Sequence, residues 1–379
     1  MKKVFKIKDS VDLFLSDNSF LTVYYMNTRR RKNFRINEEM IHLIELIDGE
    51  HDTNQISEIM FNQYSVSKES VNATFTMLLQ NKIITEICDP LNILDNIDYQ
   101  RYTRQINYFS EFLGSEEDGI IAQQKIIKSH IGVFGCGAVG GNIALQLAMA
   151  GVREFTLFDM DSVEESDISR HMYFSLSSVG NNKTKALMDQ LLKIDERLVI
   201  HTINSSMKPS DNIEPIIETL DFVINTLDEP YIGYTASKIS RVCIKHMIPH
   251  FIAGGFDAHL ASTGEIIIPY VTPCVECYAT HFKESLKNWK PKKHPVVKRN
   301  LEIGGLAPMT LFSSSFAAIE IVKYIAGLTN VKESYKIRGE LLFSNLRITY
   351  LNVEKNPKCP ICGRNNENET KTKLNHIGS

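Results

Sequence analysis

The sequence predicts an α/β protein: a doubly wound, mostly parallel Rossmann-like sheet that follows an N-terminal α+β domain with a winged-helix-like pattern. Three observations support this fold class. From about residue 101, short apolar runs typical of buried strands alternate with helical patterns. A glycine-rich loop follows the first of these strands and opens a helix. The first 88 residues show a different order, with strands, three helices and a final strand.

Composition limits the classes of function. The chain has 379 residues, 43% of them hydrophobic and 23% charged, with a net charge of -3. These values are typical of a globular protein of two or three domains and do not favour nucleic-acid binding by the whole molecule. No apolar run approaches the roughly 18–20 residues of a membrane span, and the first residues make a poor signal peptide. We therefore expect a cytoplasmic protein that does not enter a membrane.

Residues 1–88 are predicted to form a separate domain. A β-rich segment is predicted from Phe5 to Tyr25, a basic turn at 29–32 and a final strand at 83–87. Three helical patterns lie between the basic turn and the final strand. The first ends at Gly49, the second begins at Asp52 or Thr53, and the third begins at Ser67.

The start of this domain is basic. Residues 1–35 hold nine Lys and Arg against three Asp, a local charge of +6. The charge indicates a solvated face, a surface for an acidic or extended peptide, or, in a winged helix, a surface for nucleic acid. The residues alone leave these alternatives open.

A polar linker is predicted at 89–100 and a flexible polar tail at 364–379, so the α/β domain spans 101–363. Strands are predicted at 131–134, 155–158, 198–203, 222–225 and 251–253, and helices at 143–150, 183–194 and 231–247.

The glycine loop predicts a nucleotide site. Gly135, Gly137 and Gly140 form the pattern G-x-G-x-x-G between a strand and a helix. Backbone N–H groups of such a loop approach a phosphate chain, and the helix N-terminus favours its negative charge. Asp159 ends the next strand, 22 residues after Gly137, where a carboxylate can bind ribose hydroxyls.

Charged residues beyond the second strand favour ATP over a redox dinucleotide. Asp161, Asp167 and Arg170 belong to one charge-rich stretch, and Lys183 opens a later helix pattern. Asp228 comes just past another strand, on the ligand-binding edge of the predicted sheet. Cations neutralise phosphates and a carboxylate binds Mg²⁺, so the set suits a magnesium triphosphate.

Four of the seven cysteines form two C-x-x-C pairs. These are Cys274 with Cys277 and Cys359 with Cys362. Four thiolates suit tetrahedral Zn²⁺ and leave no open position, so a structural zinc is predicted, with a redox pair as the weaker alternative.

Together these motifs resemble the ThiF/MoeB/HesA family, which has the adenylating fold of ubiquitin-activating enzymes. The similarity covers roughly 101–363. It rests on Arg101-Tyr102-Thr103-Arg104-Gln105-Ile106, the glycine loop, the stretch from Asp159 to Arg170, Lys183, Asp228, the paired cysteines and Gly304-Gly305-Leu306-Ala307-Pro308.

The resemblance implies roles for individual residues. The three loop glycines line the phosphates, and Asp159 holds the ribose. Arg170 and Lys183 contact the phosphates, and Asp228 binds Mg²⁺ near the reacting α-phosphate. Arg104 is the residue that the other subunit supplies, which implies a homodimer.

Two positions depart from the family pattern, in which Asn usually stands at Asp167 and Gln at His171. A carboxylate at position 167 adds negative charge beside phosphates, so we expect Arg170 or a metal to offset it.

Thioester-forming members need a free cysteine after the first C-x-x-C, and residues 278–303 contain none. Residues 281–299 are basic instead, as suits an acceptor carboxylate or its adenylate, although a solvated loop explains the charge equally well.

The N-terminal domain resembles the PqqD-like peptide-recognition domain of enzymes that modify ribosomal peptides, which pair an extended leader with a sheet edge. The layout therefore implies the branch that adenylates short ribosomal peptides in microcin C-like antibiotic biosynthesis, through a succinimide to a P–N bond. Two alternatives remain. One is activation of a sulfur-carrier protein ending in Gly-Gly, and the other is a non-catalytic, nucleotide-sensing DNA-binding regulator.

Overall fold

A computed structural model of the chain describes residues 3–16, 19–253, 256–257, 260–290, 305–329 and 338–363. Three predicted features lie outside these residues: the tail at 364–379, part of the basic segment at 291–299, and Gly304. The chain divides into two compact units, residues 1–124 and 125–379.

The first unit begins with two small antiparallel sheets and three helices. The strands are β1 (Val4–Ile7), β2 (Val11–Ser16), β3 (Phe20–Tyr25), β4 (Arg30–Arg35), β5 (Asp48–Asp52) and β6 (Ile84–Glu86). The helices up to the second unit are α1 (Glu38–Glu45), α2 (Thr53–Tyr64), α3 (Lys68–Gln80), α4 (Asn96–Leu113) and α5 (Glu116–Lys128). One sheet has the order β5-β1-β6 and the other β2-β3-β4.

The predicted helix starts are confirmed by their caps. The Asp52 carboxylate accepts the N–H groups of Asn54 and Gln55, and the Gln55 side chain bonds back to the Asp52 N–H. Ser67 accepts the N–H of Ser70 in the same way at the start of α3. The apolar faces of both helices join one core, which includes Val23, Ile56, Met60, Val71, Phe75 and Leu78.

The prediction of a basic turn at 29–32 is wrong, because most of that segment belongs to strand β4. β4 is an edge strand with five of its six residues exposed, so its charges stay in water. The neighbouring strand β3 supplies aromatic partners for two of these cations. The Arg31 guanidinium lies 5.5 Å from the ring centre of Tyr24, and the Lys32 ammonium lies 5.8 Å from the ring centre of Tyr25. Cation–π contacts of this kind stabilise β4, although its mainly charged sequence is not typical of a strand.

The segment predicted as a linker, 89–100, is largely helical. A 3₁₀ turn spans Pro90–Asn92, and α4 begins at Asn96 with Asp95 as its N-cap. α4 buries Tyr102, Ile106 and Phe109, which are spaced for one helix face.

The second unit confirms the predicted doubly wound sheet. Its strands are β7 (His130–Phe134), β8 (Glu154–Phe158), β9 (Val199–Ile203), β10 (Phe222–Asn225), β11 (His250–Ile252), β12 (Phe256–Asp257), β13 (Leu260–Ser262), β14 (Glu265–Ile267), β15 (Arg338–Leu342) and β16 (Ile348–Leu351). The main sheet has the order β14-β11-β10-β7-β8-β9, with every neighbouring pair parallel except β11 with β14.

Helices connect and cover this sheet. They are α6 (Gly140–Ala150), α7 (Lys183–Leu191), α8 (Glu214–Ile217), α9 (Ile232–Lys245), α10 (Val275–Ser285) and α11 (Ala307–Ile325). α11 packs against α6, where the Ser314 hydroxyl donates to the Val139 carbonyl at 3.2 Å. Strands β12, β13, β15 and β16 form a second, antiparallel sheet.

Parallel pairing decides where the candidate site lies. The carboxyl ends of β7, β8 and β10 meet at one edge of the main sheet, and the loops after them carry the glycine loop, Asp159 and Asp228. Among the described helices, none is both long and apolar enough to cross a membrane.

Candidate nucleotide site and cysteine cluster

The three loop glycines serve different purposes. Gly135 has a φ of 101°, and a Cβ atom placed on it would lie 2.3 Å from the Thr226 hydroxyl oxygen. A Cβ on Gly140 would lie 2.0 Å from the Gly135 carbonyl oxygen. A Cβ on Gly137, in contrast, would meet nothing within 4 Å. Two glycines are therefore required by packing, and Gly137 leaves the loop open where a ligand can approach.

This difference gives a paired prediction. Gly135→Ala forces a left-handed backbone on alanine and should destabilise the fold by about 1–3 kcal/mol. Gly137→Ala should leave the melting temperature unchanged and raise KM for ATP, because the added methyl occupies ligand space. Thermal unfolding and initial rates on the two variants check both results. Equal melting temperatures for the two variants would contradict this division of roles.

Asp159 is tied to the backbone of the loop. One carboxylate oxygen accepts the Cys136 N–H at 2.6 Å, and the other accepts the Asp161 N–H at 2.8 Å. Burial raises the pKa of Asp159, and the two N–H groups oppose that effect. Each oxygen retains a second lone pair, so the carboxylate can still accept a ribose hydroxyl.

The Tyr173 hydroxyl contacts the backbone of the glycine loop. The sequence alone did not predict this residue as part of the site. Its hydroxyl lies 3.0 Å from the Cys136 carbonyl oxygen and 2.9 Å from that of Gly137. It also occupies the space above Gly141, where a Cβ atom would come within 1.7 Å of the Tyr173 oxygen. The one hydroxyl hydrogen of Tyr173 is shared between these two carbonyls and restrains the backbone of the loop. No motif in the sequence signals this contact.

Lys183 lies between two carboxylates. Its ammonium group is 3.1 Å from Asp161 and 3.6 Å from Asp167. Burial alone lowers the pKa of Lys183, but the two carboxylates outweigh it and raise that pKa. The lysine is therefore charged at neutral pH and already held at the carboxyl edge of the sheet.

The departure at Asp167 is offset as expected. Asp167 is 4% exposed; its carboxylate accepts a bond from the Arg170 guanidinium at 3.1 Å and the Glu164 N–H at 3.0 Å. With Lys183 also nearby, two cations neutralise this buried charge. The structure thus brings together Asp159, Asp161, Asp167, Arg170 and Lys183, all of which the sequence predicted as site residues.

The departure at His171 leaves a buried nitrogen. Nδ1 lies 2.6 Å from the Asp167 carbonyl oxygen, to which it donates in the neutral ring. Nε2 is buried with no hydrogen-bond partner among the described residues. Burial lowers the pKa of His171, so the neutral form prevails at neutral pH and Nε2 is an acceptor.

Asp228 is exposed and lies just beyond the end of β10. Hydrogen bonds of the two polar residues before it, Asn225 and Thr226, hold this part of the chain in place. Thr226 donates to the Gly135 carbonyl at 2.9 Å, and Asn225 accepts the Leu227 N–H at 3.2 Å. An exposed carboxylate suits Mg²⁺, which keeps several waters and binds through one or two carboxylates plus substrate phosphates. Thr226 and Asn225 are further supports that sequence patterns did not identify.

Arg104 belongs to the first unit, where it is exposed on α4. It lines a cleft of about 340 Å³ together with Lys6, Lys8, Tyr108 and Glu111. Ser10 donates a short hydrogen bond to Glu111 at this cleft. Sequence reasoning did not find the cleft, because its lining comes from distant parts of the first unit.

The four predicted zinc ligands converge. Sγ of Cys274 lies 3.5 Å from that of Cys359, and Sγ of Cys277 lies 3.5 Å from that of Cys362. All four sulfurs lie within 4.8 Å of one another and are buried. A tetrahedron with Zn–S bonds of 2.3 Å has S···S edges of about 3.8 Å, so the cluster fits zinc. The Asn356 N–H, 3.4 Å from the Cys277 sulfur, adds the kind of backbone bond that stabilises a thiolate.

The remaining described cysteines do not offer a nucleophile at the site. Cys136 and Cys243 are fully buried, and burial raises the pKa of both thiols. Cys88 lies in the first unit and has a pKa raised by burial. A thiol of raised pKa is a poor nucleophile at neutral pH.

Comparisons with known proteins agree with this geometry. The sequence model of the ThiF family matches residues 102–361. The chain is 24% identical to the molybdopterin-synthase adenylyltransferase of Escherichia coli K12, over 72% of this chain and 99% of that protein. It is 26% identical to the adenylyltransferase and sulfurtransferase MOCS3 of Aedes aegypti, over 86% of this chain and 68% of that protein.

Among solved structures, E. coli MccB in complex with AMPCPP and MccA superposes with a TM-score of 0.70. The match covers 96% of this chain and 100% of that chain at 19% identity. The structure named PaaA matches with a TM-score of 0.69 over 92% of this chain, at 21% identity.

Proposed function

This chain belongs to the ThiF family and is an ATP-dependent adenylyltransferase, and we propose that its acceptor is the C-terminal end of a short, ribosomally made peptide. One observation carries the proposal. The similarity to MccB extends over both units, 96% of this chain, whereas the molybdopterin-synthase adenylyltransferase matches only 72% of it. The ThiF family model begins at residue 102, so most of the first unit lies outside it, and we assign peptide recognition to that unit.

The first unit offers a surface for an extended peptide. β4 is an edge strand of the sheet β2-β3-β4, so its outer N–H and C=O groups can pair with another strand. Its side chains include Arg30, Arg31, Lys32 and Arg35. An edge with four cations favours a peptide that carries acidic groups.

Reversing charge at this edge should weaken peptide binding selectively. In the double variant Arg31→Glu with Lys32→Glu, we expect KM for the peptide to rise by about tenfold or more and KM for ATP to stay unchanged. A matched control reverses two exposed lysines outside this sheet, Lys68→Glu with Lys128→Glu. The effect should shrink at high salt, because exposed charges are screened. If both double variants raise the peptide KM equally, the binding edge lies elsewhere.

In the proposed reaction, the peptide's C-terminal group attacks the α-phosphorus of ATP in line and pyrophosphate leaves. Arg170 and Lys183 stabilise the negative charge that develops on the phosphates. Their present partners, Asp167 and Asp161, hold both cations at the site before the nucleotide arrives. Asp228 would hold Mg²⁺, which when bound neutralises phosphate charge. The side-chain amide of a terminal Asn then attacks the activated carboxyl, which expels AMP and forms a succinimide. The succinimide nitrogen attacks the α-phosphorus of a second ATP, pyrophosphate leaves, and water opens the ring, so that the nucleotide stays on the peptide through a P–N bond.

Arg104 has a proposed role of its own. We place it in the site of a second copy of the chain, so that the active form is a homodimer. Its exposure on α4 leaves it available for such a contact. Mixing Arg104→Ala with Asp228→Ala chains tests this, because a mixed dimer restores one complete site only if Arg104 acts across the interface.

A Gly-Gly carrier protein is the second candidate acceptor, favoured by the sequence similarity to the molybdopterin-synthase adenylyltransferase. Pyrophosphate release with ATP separates the two. A short synthetic peptide ending in Asn should support release, and a carrier protein ending in Gly-Gly should not. Release with the carrier alone would overturn the peptide proposal and leave the adenylyltransferase activity intact. Release with neither, together with DNA binding that has a steep salt dependence, would favour the regulator.

A further inference from the structure

A cluster of two histidines and one glutamate lies at the other end of the main sheet, away from the nucleotide loop. His130 begins β7, Glu154 begins β8, and His201 belongs to β9. The three strands are adjacent and parallel, with His130 opposite Glu154 and His201 opposite Thr156. Both imidazoles converge on the same oxygen of Glu154.

The distances do not suit hydrogen bonds. Nδ1 of His130 lies 3.5 Å from the Glu154 oxygen, and Nε2 of His201 lies 3.4 Å from it. Three other histidine–carboxylate pairs of the described residues are closer: His51 lies 2.7 Å from Asp48, His246 lies 2.6 Å from Glu214, and His42 lies 3.1 Å from Glu45. A nitrogen donor and a carboxylate oxygen bond at about 2.7–3.2 Å.

The same distances suit a metal. Zinc binds imidazole nitrogen and carboxylate oxygen at about 2.0–2.2 Å, and a tetrahedron of that size has edges of about 3.4 Å. The ligand atoms of all three residues lie within 4.8 Å of one another. Two nitrogens that each stand one tetrahedral edge from the same oxygen are placed for a shared ion.

A neighbouring residue fixes the ring of His130. Its Nε2 lies 2.9 Å from the Thr156 hydroxyl oxygen, which leaves Nδ1 to face Glu154. Metal-binding histidines commonly have their second nitrogen held in this way, which sets the tautomer and the ring orientation. His130 is also the most buried of the three, with 14% of its side chain exposed.

We propose that His130, Glu154 and His201 bind Zn²⁺, at a site separate from the cysteine cluster. Three protein ligands leave a fourth position for water. The side chains of Glu154 and His201 are 41% and 56% exposed, so solvent reaches that position and the ion can exchange. The ion would join the amino ends of β7, β8 and β9. The opposite ends of β7 and β8 lead to the glycine loop and Asp159.

The test is a zinc titration of the full-length protein against a chromophoric chelator. Wild type should bind one more zinc per chain than His201→Gln, and the cysteine site should fill equally in both. His51→Gln is the matched control, because His51 also pairs with a carboxylate but lies outside the cluster. Thr156→Val keeps the ligands and should weaken this site roughly 10- to 100-fold.

Glu154→Gln is a second ligand variant and should lose the same zinc as His201→Gln. The melting temperature in chelator shows whether each variant is folded, and added zinc should raise it further in wild type than in His201→Gln. Equal zinc content in wild type and both ligand variants would overturn the site. So would loss of zinc in His51→Gln, because His51 is not one of the three proposed ligands.

Discussion

Asp228→Asn should lower the rate of pyrophosphate release by roughly 100- to 1,000-fold, the largest loss of activity that we expect from one substitution. The variant keeps the shape of the side chain and removes the charge that would hold Mg²⁺. Asp228 is exposed, and the loop before it is held by Thr226 and Asn225, so the fold should be unaffected. Steady-state rates with ATP, Mg²⁺ and peptide measure the effect.

The control for this variant is Asp189→Asn, an exposed carboxylate of α7 outside the proposed site. It should retain the wild-type rate. If Asp228→Asn stays within about threefold of wild type at saturating Mg²⁺, the metal has another ligand and the role given to Asp228 is wrong.

Cys277→Ser should remove the zinc of the cysteine cluster and destabilise the second unit by more than about 4 kcal/mol. The substitution breaks a four-sulfur set that joins the start of α10 to the segment after β16. The cluster is buried among Ala236, Ile244, Ile252 and Ile267, so losing the ion also exposes part of the core. Metal analysis and thermal unfolding measure the two consequences.

Cys88→Ser is the matched control, because Cys88 is a described cysteine outside the cluster and partly exposed. It should keep both the zinc and the melting temperature. A Cys277→Ser protein that binds as much zinc per chain as wild type and keeps the wild-type melting temperature would show that the cluster holds no structural ion.

Much of the second unit could be predicted from sequence because its signals are local. The buried strand β10 was predicted with both of its ends correct, and β7 and β8 each within one residue. Such runs are apolar because the parallel sheet is covered on both faces. The starts of α2 and α3 could be predicted equally well, because Asp52 and Ser67 have side-chain oxygens that accept the free N–H groups of a first helical turn.

Polar strands escaped prediction. β4 consists mainly of charged residues, and β5 runs from Asp48 to Asp52 with no large apolar side chain. β4 is stable because it pairs with β3 and its cations lie over tyrosine rings, neither of which a local pattern contains. Tertiary pairing overrides propensity at such edges.

The candidate site divides in the same way. The glycine loop and the carboxylates that follow strands were found because sheet topology places them at one edge. Their pairing was only partly foreseen. The offset of Asp167 by Arg170 was expected, but the position of Lys183 between Asp161 and Asp167 was not. Tyr173 was missed because its contact with the loop joins residues 36 and 37 positions apart.

The intact mass of the peptide after incubation with ATP tests the central claim most directly. A short peptide ending in Asn should gain one AMP less one water, with one pyrophosphate released for each bond formed to the α-phosphorus. Wild type should give this product and Asp228→Asn should not. An unmodified peptide, alongside AMP transferred to a Gly-Gly carrier by the same preparation, would contradict the peptide assignment.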